Sequence, residues 1–138
     1  MDRVTMTKKH VAYLCLALWV VFAGLAAAQK KVAVYVGEIR GPDEFVSERI
    51  RLLFMEEFSK IRTLDVVDSK DNAQLVLDGI ARADSGEEGM LLSVKLLESG
   101  TGRVVFAGNR TEPGSSSRAT RNAVLFMVRD IKRVLKWQ

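Results

Sequence analysis

The chain has 138 residues, 48% hydrophobic and 28% charged, with a formal net charge of +4, one cysteine and one histidine. It is longer than the roughly 70–80 residues below which covalent staples are usually needed, and one domain is the natural count. Because His10 and Cys15 both fall in the first 28 residues, a chain shortened there has no disulfide, no Ser-His-Asp or Cys-His nucleophile system and no thiolate or imidazole zinc site.

Residues 1–28 read as a secretory signal peptide: Arg3, Lys8 and Lys9 make a basic start, residues 11–25 are an uncharged apolar run, and Ala26, Ala27 and Ala28 precede Gln29. Signal peptidase needs small side chains first and third before the cut, which Ala28 and Ala26 supply. The competing reading is an uncleaved anchor, since residues 11–28 have about the minimum length of a spanning helix. The alanine-rich end favours processing. Cys15 lies inside the apolar run behind Tyr13 and Leu14, not at its close after small residues, so it is not placed as a lipoprotein cysteine. The remaining domain, residues 29–138, carries 18 Lys and Arg against 16 Asp and Glu. Six of those cations and one acid, Asp130, lie in residues 118–138, so the basic charge belongs to the end of the chain.

In residues 30–37 Val32, Val34 and Val36 alternate with Ala33 and Tyr35, which predicts an interior strand with apolar groups on both faces. Residues 37–42 are expected as a loop. Residues 43–61 change to the helical period, with Val46, Ile50, Leu53, Phe54, Phe58 and Ile61 on one stripe and Asp43 and Glu44 at the positive end of the helix dipole. A short strand over residues 63–67 follows, and strand, helix and strand form a crossover unit that favours parallel pairing. Asp65, Asp68 and Asp71 are spaced by three, whereas a calcium loop alternates ligands at every second residue. A turn is the better reading.

Residues 74–111 predict three strands joined by two tight turns. In the first, Leu75, Leu77, Gly79 and Ala81 share one face and Val76, Asp78, Ile80 and Arg82 the other; in the second, Leu92, Val94 and Leu96 alternate with Leu91, Ser93, Lys95 and Leu97. The glycines of Gly100-Thr101-Gly102 join two strands, whereas a phosphate loop leads into a helix; they are turn residues. Asn109-Arg110-Thr111 matches a glycosylation acceptor pattern, an accident if the source is bacterial. After a connector over residues 112–117, with Ser116 or Ser117 as N-cap, the last helix carries an apolar stripe of Ala123, Val124, Met127, Val128, Ile131, Val134 and Leu135. Arg118, Arg121, Arg129, Lys132, Arg133 and Lys136 stay mostly outside that stripe.

The expected fold class is therefore an α/β two-layer sandwich in the order β-α-β-β-β-α, a mixed sheet with a three-strand antiparallel meander and two helices on one face. Residues 73–79, AQLVLDG, then 92–98, LSVKLLE, then 101–106, TGRVVF, resemble the amino-terminal domain of TolB and its CsgG-like relatives. The resemblance spans nearly all of residues 29–138. It implies a non-enzymatic domain that builds oligomers or docks partners in the bacterial periplasm. Gln74 stands where that group commonly has an acid and Phe106 where tryptophan is frequent. No propeller follows, no membrane-inserting hairpins interrupt the sheet and the lipoprotein cysteine is missing, so neither pore formation nor the full TolB role is implied.

If both helices cover the Leu77 and Val94 face, the opposite face presents Val76, Asp78, Ile80, Arg82, Leu91, Ser93, Lys95 and Leu97, with Arg103 and Val105 of the third strand beside them, as a candidate contact surface for an envelope protein or a second copy. Cross-strand stabilisation of an exposed sheet is the plainer account of the same residues. The basic residues of the last helix are a candidate surface for an anionic membrane or an acidic protein. The plainer account there is that cations near a helix C-terminus are solvated and favoured by its dipole. With only Tyr35 and Trp137 besides phenylalanines after residue 28, nucleic acid is the poorer partner. No cofactor, metal or catalytic constellation is expected. The reading of a different class is a small hydrolase using carboxylates alone, but Glu87 and Glu88 are adjacent at a hairpin tip and nothing brings two carboxylates to face each other.

Overall fold

A computed structural model describes residues 30–83, 89–114 and 117–138; the expected leader and the expected cleavage positions Ala26 and Ala28 lie outside them. The elements follow the expected order, and their sheet has the strand order β2-β1-β3-β4-β5. Strand β1 (Val32–Arg40) is interior, parallel to β2 (Leu64–Val67) on one side and to β3 (Leu75–Ala83) on the other.

Strand β1 corrects one expectation. It does not end at residue 37 but runs on to Arg40, with a bulge between Val36 and Ile39. Gly37 permits this: a Cβ there would collide with Asp78 Oδ1 and stand 3.0 Å from the Leu77 carbonyl oxygen. Past the bulge Ile39 returns to the core opposite Gly79, only 3% exposed. Burying that side chain favours extending the strand over releasing it as loop.

Helix α1 (Glu44–Ser59) starts at Asp43, whose Oδ1 accepts from the Val46 N–H at 2.8 Å. The Ser47 hydroxyl donates to the Asp43 carbonyl at 2.9 Å and accepts from the Gly41 N–H at 2.8 Å, so the entry to the helix is tied down twice. Ile50, Phe54 and Phe58, four residues apart, are fully buried, and Val46 and Leu53 are partly so. This is the predicted stripe. It packs on β1 and β2, which it connects. Residues 70–72 form one 3₁₀ turn, capped by Ser69 Oγ accepting from the Asp71 N–H at 3.3 Å.

Strands β3, β4 (Gly89–Glu98) and β5 (Val104–Pro113) make the antiparallel meander. Register pairs Leu77 with Leu96, Gly79 with Val94 and Ala81 with Leu92 on the covered face. A bulge between Leu96 and Leu97 leaves Val105 out of the ladder, half-buried against the core, so that Phe106 opposes Leu96. Strand β5 reaches Pro113, two residues beyond the expected end. Helix α2 (Ser117–Leu135) packs on β5 and β4 beside α1; Ala123, Val124, Met127, Val128 and Ile131 are buried. Val134 is not part of that core. It is 54% exposed, while Leu135 and Trp137 pack inward and Trp137 meets Phe58 edge-on at 6.2 Å.

Candidate functional site

The face of the sheet opposite the helices is built by the meander's alternation. Its four central pairs are Val76 with Leu97, Asp78 with Lys95, Ile80 with Ser93 and Arg82 with Leu91, which brings the eight residues singled out from β3 and β4 onto one surface, whereas Val105, expected beside them, packs against the core. Arg82 and Lys95 are exposed, and Asp78, Ile80, Leu91, Ser93 and Leu97 are half-buried. Val76 is the exception at 3% exposure. It lies between Tyr35 of β1 and Leu97 of β4 in register, so it supports the face from beneath.

Tyr35, Glu38, Arg40, Ala107 and Asn109 also lie on this side and were not assigned to it from the sequence. The bulge in β1 brings Glu38 and Arg40 to the rim of a concavity of about 620 Å³ that also takes in Asp78, Ser93, Lys95 and Asn109. No ion pair among the described residues involves Glu38, Arg40, Asp78, Arg82 or Lys95. The surface thus offers unpaired charges of both signs between half-buried aliphatic groups, a combination suited to docking a complementary surface. The only signal in the sequence is Gly37, a glycine inside an otherwise continuous strand pattern.

At one end of the meander Glu98 closes the turn into β5. Arg103 donates through Nε at 2.9 Å and Nη2 at 3.0 Å, and Thr101 Oγ1 donates at 2.8 Å. These hydrogen bonds, those from Arg103 first, hold the carboxyl below the usual carboxylate range. Its stabilising contribution is therefore complete above the unfolded-chain pKa and is lost as pH falls through the lower folded value. Titration followed by NMR should show Glu98 held below the ordinary glutamate value and moving up in Arg103→Ala, where only the Thr101 hydrogen bond remains. A Glu98 titration identical in both proteins would refute the clamp.

A shifted carboxyl of this kind is the wrong one for acid catalysis, which needs a pKa raised towards neutrality. Among the described residues no group of three His, Cys, Asp or Glu gathers as a metal site would require. Glu87 and Glu88 lie outside the described residues.

On the helix side, Arg118, Arg121, Arg129, Lys132, Arg133 and Lys136 look away from the core. Only Arg133 meets an acid among the described residues, through Nη2 to Asp130 at 2.9 Å. The sequence reading passed over Phe45 and Leu52, which are 73% and 53% exposed on α1. Seven residues apart, they share a side of that helix but fall off its buried stripe. Among the described residues no helix is long and apolar enough to cross a membrane.

No protein-family profile matches the chain, nor does any curated protein sequence. Solved structures do. A PelC dodecamer from Paraburkholderia phytofirmans matches with a TM-score of 0.55 and 17% identity, over 73% of this chain and 87% of that one. TolB from Acinetobacter baumannii matches with a TM-score of 0.59 and 8% identity, over 77% of this chain but 28% of that one. This is the TolB-amino-terminal-like, CsgG-like fold. Lipoprotein GNA1162 from Neisseria meningitidis shares it, with a TM-score of 0.52 and 14% identity over 72% of this chain and 96% of that one. At such identities the likeness is one of fold, and it agrees with the resemblance carried by residues 73–79, 92–98 and 101–106.

Proposed function

We propose that this protein is a non-enzymatic interaction module, exported to the bacterial periplasm, whose open sheet face docks a second copy of the chain within an envelope assembly, secretion or transport complex. The observation that carries this reading is the face itself: five strands, with both described helices on the other side, and half-buried Ile80, Leu91 and Leu97 around Asp78 and Lys95, neither of which forms an ion pair among the described residues. Charges of both signs make the surface complementary to itself, which a contact between identical chains requires. The dodecamer formed by PelC supports assembly by this fold, and GNA1162, a lipoprotein, supports an envelope setting. The leader-like first 28 residues favour export.

The test is sedimentation of the wild type and of the double variant Ile80→Gln, Leu91→Gln. The wild type is expected to associate and the variant to remain a folded monomer, with association weakened roughly 30-fold or more, as for an interface hot spot. Equal sedimentation of the two proteins, or a wild type that is monomeric throughout, would overturn the proposal.

A further inference from the structure

Helix α2 carries a second surface whose chemistry the sheet face does not explain. At 3.6 residues per turn, Arg118, Arg121, Arg129, Lys132 and Arg133 fall within an arc of about 120°, opposite the buried side chains of the helix, and Lys136 follows just past the helix end. Within the helix the stripe extends about 22 Å from Arg118 to Arg133, at about 1.5 Å per residue. No acid interrupts it: Asp130 lies to one side and answers Arg133 alone.

Solvation and the helix dipole do not account for the whole stripe. The dipole favours Lys132 and Arg133 in the last turn but opposes Arg118 and Arg121 near the first, where no acidic residue accompanies them. Like charges at spacings of three and four, as in Arg118 with Arg121 and Arg129 with both Lys132 and Arg133, further destabilise the helix. A continuous anionic surface would turn each of these penalties into an attraction.

The C-terminal end of the stripe adds an apolar component. A shallow depression of about 500 Å³ is bordered by Leu125, Val128, Arg129, Lys132, Arg133 and Trp137. Glu57 also lines it, but Lys60 Nζ holds that carboxylate at 2.6 Å. Trp137 is fixed there by its edge-on contact with Phe58. A tryptophan and aliphatic groups ringed by cations suit the boundary between lipid headgroups and acyl chains better than a dissolved anion.

We propose that the outward face of α2 docks the domain onto an anionic phospholipid surface, with the depression beside Trp137 receiving a headgroup. The helices form one layer and the open sheet face the other, so a docked molecule turns Ile80, Leu91 and Lys95 away from the lipid. Membrane docking and self-association then use opposite sides and do not compete.

The experiment is co-sedimentation of the full chain with vesicles of phosphatidylglycerol mixed into phosphatidylcholine, against pure phosphatidylcholine. The leader is common to all the proteins compared, so differences between them report the helix. The wild type should prefer the phosphatidylglycerol vesicles and lose that preference near 1 M salt, where the Debye length is about 3 Å. The variant R129E/K132E/R133E should bind roughly 100-fold more weakly or worse. R118E/R121E separates docking from folding: it places acids at the helix N-terminus, so the protein should melt no lower than the wild type yet bind the vesicles more weakly. The Ile80→Gln, Leu91→Gln protein should bind vesicles as the wild type does. Equal binding by the wild type and both reversal variants, no preference for phosphatidylglycerol, or capture of polyglutamate in place of vesicles would overturn the proposal.

Discussion

Phe58→Ala is expected to lower the stability of the domain by about 3–5 kcal/mol, the range for truncating a buried aromatic side chain. Phe58 is fully buried at the last turn of α1, with its ring 5.8 Å from that of Phe54 and 6.2 Å from that of Trp137. It therefore anchors three things at once: the end of α1, the core beneath it and the chain that leaves α2. Alanine removes the ring, leaves a cavity that the sheet and α2 packed against α1 cannot fully close, and frees Trp137 from its edge-on partner, a contact worth about 0.5–1.5 kcal/mol beyond area. Against a total of about 5–15 kcal/mol for a domain, the loss is a large fraction. Thermal unfolding should show a midpoint lower by more than 10 °C, taking roughly 4–8 °C per kcal/mol for a domain of this size. Leu52→Ala, on the exposed side of the same helix, should change stability by less than about 0.5 kcal/mol. If the two variants melted together, the placement of Phe58 at the centre of the core would be wrong.

The reason this core was legible in the sequence is geometric. An element buried on one side must repeat its apolar residues at its own period, and Ile50, Phe54 and Phe58 do so in the helix as Leu92, Val94 and Leu96 do in the strand. The order of elements and the two faces of the meander follow from that alone. What period does not report is where neighbouring elements end. Val134 continues the apolar pattern of α2 but finds no cover, and Val76 shares a face with exposed Lys95 yet is buried. Residues 37–42 have the glycines and proline of a loop, and only pairing with β3 shows that Gly37 and Glu38 form a bulge which carries Ile39 back inside. The concavity on the open face depends on that bulge, so Glu38 and Arg40 could not be placed there from spacing. The basic stripe was the reverse case: its residues were evident at once, but the absence of acidic partners for most of them is a property of the folded surface.

Gly79→Val is the second large effect expected, a loss of roughly 3 kcal/mol, at the upper end of overpacking in a well-filled core. The glycine closes the segment Val76-Leu77-Asp78-Gly79, part of the stretch that carries the family resemblance, and its physical reason lies in the register of three strands. A Cβ at residue 79 would stand 2.9 Å from the Ser93 carbonyl oxygen, 3.0 Å from Val94 Cγ1 and 3.1 Å from Ile39 Cδ1. The two side chains can give way by rotation, but the carbonyl belongs to the β3–β4 ladder and moves only with the strand. Alanine already meets that obstacle, so Gly79→Ala should destabilise by about 1–2 kcal/mol even though replacing a glycine by alanine gains about 0.4–1 kcal/mol through the unfolded chain. Gly100→Ala isolates that gain: nothing lies within 4 Å of a Cβ there, and the variant should equal or exceed the wild type in stability. Gly102 has a φ of 69°, so alanine should cost about 1–2 kcal/mol despite the open space. Urea unfolding of the four variants ranks them, with Gly79→Val lowest and Gly100→Ala highest. A Gly79→Ala protein as stable as Gly100→Ala would mean that the ladder yields, and that close packing of β3 against β4 and Ile39 is not what requires a glycine at this position.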